Sequence, residues 1–106
     1  MAKYLLEVRY TAEGTKGLAR EGGTARRTAA SKLLEGLGGK LEAFYFAFGD
    51  VDGYAIIDVP DSVTATAGAL AINQSGAVTV KTVVLISPED VDKAAKKTVA
   101  YRPPGH

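Results

Sequence analysis

Between Lys3 and Tyr10 the chain alternates, with Tyr4, Leu6, Val8 and Tyr10 at one parity and Leu5, Glu7 and Arg9 at the other. A period of two marks a β-strand, here with one apolar and one mixed face. Gly14 and Gly17 loosen the stretch that follows, and Gly22-Gly23 breaks it. Thr24 then caps a helix whose Ala30, Leu33, Leu34 and Leu37 follow the i, i+3, i+4, i+7 spacing, and Gly38-Gly39 ends it. A second strand, Leu41 to Phe48, sets Phe44, Phe46 and Phe48 against Ala43, Tyr45 and Ala47. Neither parity is strongly polar, so this strand is expected to be buried on both sides. Gly49-Asp50-Val51-Asp52-Gly53 supplies turn residues, and Tyr54 to Val59 completes a β-hairpin. After Pro60, Asp61 or Ser62 caps a helix with Val63, Ala67, Leu70 and Ala71 as its apolar stripe, and Gly76 closes it. Ala77 to Ile86 reads as a strand rich in β-branched residues. Ser87-Pro88-Glu89-Asp90 opens a last helix, and Tyr101 to His106, with Pro103-Pro104, forms an extended tail.

Strand, helix, strand, strand, helix, strand is the split βαβ pattern. It predicts an α+β, ferredoxin-like βαββαβ sandwich: a four-stranded antiparallel sheet with both main helices on one face, plus the C-terminal helix. The other face is left open, and alternation places Leu5, Tyr45, Val83 and Leu85 on it beside Glu7, Arg9 and Lys81. An apolar patch of that kind marks an interaction site, and a second copy across a two-fold axis is its simplest cover. The chain is therefore expected to be a dimer or larger, and the tail, with Tyr101, Pro103 and Pro104, to pack on the neighbouring subunit or cover its cavity mouth.

Composition narrows the classes of function. A chain of 106 residues with 46% apolar and 24% charged positions is sized and composed for one folded domain, residues 1–106. Without cysteine there is no disulfide framework, thiol nucleophile or thiolate metal site. No apolar run approaches the 18 or so residues of a membrane span, and nothing after Met1-Ala2-Lys3 resembles a signal-peptide core, so membrane insertion is not expected and a cytoplasmic location is. A net charge of +1 lacks the positive excess that drives nucleic-acid binding. Arg20, Arg26, Arg27 and Lys32 do gather, but Glu21 and Glu35 lie among them and make the group a solvated helix face.

The run from Leu37 to Asp50, followed by Ala55-Ile56-Ile57-Asp58-Val59-Pro60-Asp61 and the alanine-rich helix, resembles the GYD domain family of bacterial proteins, over nearly the whole chain. The resemblance implies a ferredoxin-like fold that pairs into a dimeric α/β barrel, with two sheets facing each other, and implies no established activity. The family's glycine, tyrosine and aspartate fall at the hairpin. Gly49 and Asp52 match, Val51 stands where the tyrosine is expected, and Tyr54 is the nearest phenol.

Few side chains carry chemistry of their own. Asp50 and Asp52 flank a turn but lack the further acids of a calcium loop, so no metal is expected; Asp52 is the better functional candidate of the two, on the resemblance. Gly36-Leu37-Gly38-Gly39 follows a helix and precedes a strand, the reverse of a dinucleotide fingerprint, and no cofactor is expected. The one histidine, His106, is the last residue, which leaves Ser31, Ser62, Ser75 and Ser87 without an internal base. What remains is the mixed sheet face: Glu7, Arg9, Tyr45 and Lys81, with Asp52 and Tyr54 at the hairpin. On a barrel lining those charges would need partners, either a small anionic or aromatic ligand or one another in ion pairs across the strands or the interface. Arg9, with a planar fork suited to carboxylate or phosphate, is the principal ligand candidate. Lacking a strong nucleophile, metal set or cofactor motif, the chain reads as a homo-oligomeric binding or interaction module. The alternative is a small-molecule-binding protein, extending to a cofactor-independent enzyme in which Arg9 fixes a negative group and Tyr45, Tyr54 or Asp52 moves protons.

Overall fold

The computed structural model describes residues 2–106. Its elements run β1 (Ala2–Tyr10), α1 (Ala12–Glu21), α2 (Gly23–Gly36), β2 (Lys40–Phe46), β3 (Gly53–Val59), α3 (Ser62–Gln74), β4 (Val78–Leu85) and α4 (Pro88–Ala95). The four strands form one antiparallel sheet in the order β2-β3-β1-β4. With α2 against β2, and α3 against β3 and β4, this is the ferredoxin-like arrangement that the element order predicts. Among the described residues no helix is long and apolar enough to cross a membrane.

The core lies between that sheet and its helices. Tyr4, Leu6 and Val8 from β1 meet Ala55, Ile57 and Val59 from β3, with Leu34 of α2 and Ala65 of α3 above them. The parity read from β1 is therefore the one that is buried.

Three expectations are corrected. Residues 12–21 form a helix, α1, where the glycines suggested a loose connection. Thr11 caps it, its hydroxyl accepting from the Gly14 N–H at 3.2 Å. Gly14 belongs there because a side chain would collide with the Ala77 carbonyl oxygen, 1.9 Å from an added Cβ. The break comes at Gly22, whose φ of 86° ends α1 and starts α2, so Thr24 lies inside a helix and is not its cap.

The second correction concerns β2, which ends at Phe46 and leaves Phe48 86% exposed on the hairpin. A β-bulge between Leu41 and Ala43 shifts the register: Leu41 lies opposite Ile57 and Phe44 opposite Ala55, which puts both on the helix side. Ala43 and Tyr45 face the other way, and with Tyr45 73% exposed the strand is not buried on both sides within one chain.

The third is the phase of α3. Ala65 and Gly68 are its buried residues, while Val63 and Leu70 are 77% and 64% exposed, and Ala67 and Ala71 face solvent with them. A Cβ on Gly68 would approach Leu37 Cδ1 to 3.1 Å, so the side that packs is the one small enough to lie close to α2.

Candidate functional site

Strand register turns the helix-free face into ordered rows, because directly opposed residues share a face. The middle row is aliphatic: Ala43, Ile56, Leu5 and Val83 lie opposite one another across all four strands. The row beside it is Tyr45, Tyr54, Glu7 and Lys81. Four of the six residues singled out from the sequence thus form one continuous line, about 14 Å long at the usual strand spacing. Glu7 is half-buried between Tyr54 and Lys81. Among the described residues no ion pair joins Glu7 to Arg9 or to Lys81, so of the pairings open to these charges the cross-strand one is not formed within one chain.

Arg9 lies one step further along β1, opposite Thr79. It is half-buried, and its Nε donates to the Asp50 carbonyl oxygen at 2.9 Å, tying the end of β1 to the β2–β3 hairpin. Asp52 holds the same corner. Its Oδ2 accepts from the Tyr10 N–H at 2.9 Å, its N–H donates to the Val8 carbonyl at 2.8 Å, and its carbonyl accepts from the Ala47 N–H at 2.7 Å. The carboxylate completes the ladder where backbone pairing stops. Val51 beside it is buried; a tyrosine ring there would require more room than a valine side chain occupies.

At the other end of the face, Lys3 Nζ donates to Glu42 Oε1 and lies 3.4 Å from Asp58 Oδ2. The Glu42 hydrogen bond is the largest cause raising the Lys3 pKa above its usual value, and Asp58 adds to it. The other Asp58 carboxylate oxygen is buried with no hydrogen-bond partner. Parity places Lys3 and Asp58 on this face from sequence alone. Glu42 joins them only because of the bulge, which no periodicity announces. Among the described residues, no three carboxylates or imidazoles gather closely enough to hold a metal ion.

From Ile86 onward every residue is exposed. Helix α4 is well started, with Ser87 Oγ accepting from the Asp90 N–H at 3.1 Å and Pro88 in the first turn, yet it buries no residue. Val91, Val99 and Tyr101 stand in solvent along this arm.

Compared with known protein families, residues 4–95 match the GYD domain. No curated protein and no solved structure gives a significant match.

Proposed function

Because the chain belongs to the GYD domain family, whose fold leaves one sheet face uncovered, we propose that it works as a homo-oligomeric interaction module in which two copies bring these faces together. The observation that carries this reading is the aliphatic row Ala43, Ile56, Leu5 and Val83, continuous across the sheet and flanked by Tyr45 and Tyr54. Burial against a second sheet would remove this apolar surface from water at about 25 cal/mol per Å². A face of four strands and about eight residues has a footprint on the order of 500 Å². A standard interface buries about 800 Å² per partner, so the sheet face is joined by a second element. The arm from Ile86 to His106 supplies it: an isolated helix as short as α4 is marginal in water, and packing against the neighbouring copy accounts for its apolar residues.

The alternative, a ligand held by Arg9 in the space between two sheets, has less support. Arg9 already donates to the Asp50 carbonyl, and Asp52 to Val8 while accepting from Tyr10, so both serve the hairpin.

Light scattering on the eluting protein is the direct test. The expected mass is that of two or more chains at micromolar concentration. Val83→Glu, placed on the exposed face, should shift it to a single chain with the far-ultraviolet circular dichroism unchanged. A wild-type mass of one chain overturns the proposal.

A further inference from the structure

The opposite side of the sheet holds a separate feature. Between α2, α3 and the strands lies a cavity of about 80 Å³, walled by Val8, Leu33, Phe44, Ile72 and Val80. By the measure in which one water needs about 10–15 Å³, this is the room of roughly five to eight waters, or of one ring or a short acyl chain. Its origin is in the sequence. Ala30 of α2 and Ala55 of β3 are small where they line it. The helices cannot close the gap, since α2 is anchored on β2 and α3 on β3 and β4. Water fills such a space poorly, because it needs two to four polar partners and these walls are almost wholly apolar.

Polar groups occur among the lining residues in only two side chains, Tyr10 and Arg26. Arg26 is half-exposed and its partner Glu21 lies 3.4 Å away, an ion pair loose enough to be exchanged. Tyr10 stacks on Phe46 with ring centroids 6.4 Å apart. Burial raises the Tyr10 pKa, and Arg26 is near enough for its charge to oppose that rise. An uncharged phenol and a permanent cation therefore border one apolar slot.

We propose that this slot binds a small apolar carboxylate, a monocyclic aromatic or short-chain acyl acid, with its hydrocarbon between α2 and α3 and its carboxylate on Arg26 and the Tyr10 hydroxyl. A guanidinium accepts a carboxylate in a two-pronged hydrogen bond, and an apolar cavity with a few polar groups fixing orientation is the usual form of a small-molecule site. The site belongs to a single chain and holds whether or not two sheets pair.

Titration calorimetry with benzoate and with hexanoate tests it, with acetate and benzyl alcohol as controls that lack the hydrocarbon and the charge. The expected result is saturable binding, one per chain, of benzoate or hexanoate, with both controls at least tenfold weaker. Arg26→Gln should weaken that binding at least tenfold with the melting temperature unchanged. Ala30→Leu should abolish it by filling the slot, in a protein that still melts cooperatively. Should Ala30→Leu not fold, Arg26→Gln decides. Absence of saturable binding at millimolar acid, equal affinity for either control, or full affinity in Arg26→Gln overturns the proposal.

Discussion

At Gly14 a single methyl group would meet a backbone oxygen, the Ala77 carbonyl, 1.9 Å from the position of its Cβ. Backbone cannot rotate aside as a side chain does, so Gly14→Ala should cost about 1–3 kcal/mol in denaturant unfolding, the usual range for overpacking. Gly17, in the same helix, has nothing within 4 Å. Gly17→Ala should therefore be stabilising, by about 0.5–1 kcal/mol. Equal effects of the two substitutions would remove the steric account of Gly14. Asp61 offers a test by pH. Its carboxylate accepts from the Thr64 N–H at 2.8 Å, and this bond to the backbone is the main cause holding its pKa below 3.8. A depressed carboxyl pKa contributes stability that is present above the unfolded value and is lost as the pH falls through the folded one. Asp61→Ala should thus lower the melting temperature at neutral pH, and the difference from wild type should shrink in acid below the ordinary carboxylate range. A difference that persists undiminished there would show that the cap does not act through its charge. Capping by Asp61 or Ser62 was legible from the sequence, since oxygen side chains before a helix have few other uses. The Gly14 contact was not, because its partner lies 63 positions away in the chain.

Helix α3 illustrates how an element can be correctly located and wrongly oriented. Apolar residues surround it on all sides, so periodicity alone does not say which stripe turns inward. Packing does: Gly68 permits the close approach to Leu37, Ala65 is buried with it, and the larger Val63 and Leu70 are turned out. Leu70→Gln should accordingly leave the melting temperature nearly unchanged, whereas Ala65→Leu should cost about 1–3 kcal/mol by overpacking, an order read directly from thermal or urea unfolding. The reverse order would restore the stripe expected from sequence. The arm from Ile86 is the second element whose packing the spacing of its residues does not specify. Since it buries nothing within its own chain, removal of residues 86–106 should leave the cooperative unfolding of the body intact. Under the proposed assembly it should also lower the mass measured by light scattering at a given concentration. Loss of folding in the truncated chain would mean that the arm supports its own body.

The shape of the whole molecule follows from the arm. A compact chain of this length has a radius of gyration near 13 Å, while the single chain measures 16.9 Å, with principal extents of 56 × 33 × 22 Å. Small-angle scattering of the Val83→Glu variant, expected to be a single chain, should return a value near 17 Å; one near 13 Å would place the arm back on its own body. The sequence by itself determined the order of the main elements, the buried parity of β1 and the four-stranded antiparallel topology. These depend on periodicity, on turn and cap residues, and on the handedness of crossovers, all properties of neighbouring residues. The line of Tyr45, Tyr54, Glu7 and Lys81 was legible in part, since parity assigns each residue a face but not a register. Tertiary structure decided the rest: the bulge that brings Glu42 to Lys3, the use of Arg9 and Asp52 to hold the hairpin, the inward side of α3, and the slot beneath Arg26. Each depends on which distant backbone or side chain comes within a few ångströms, a matter of volume and close approach that the spacing of residues along the chain does not contain.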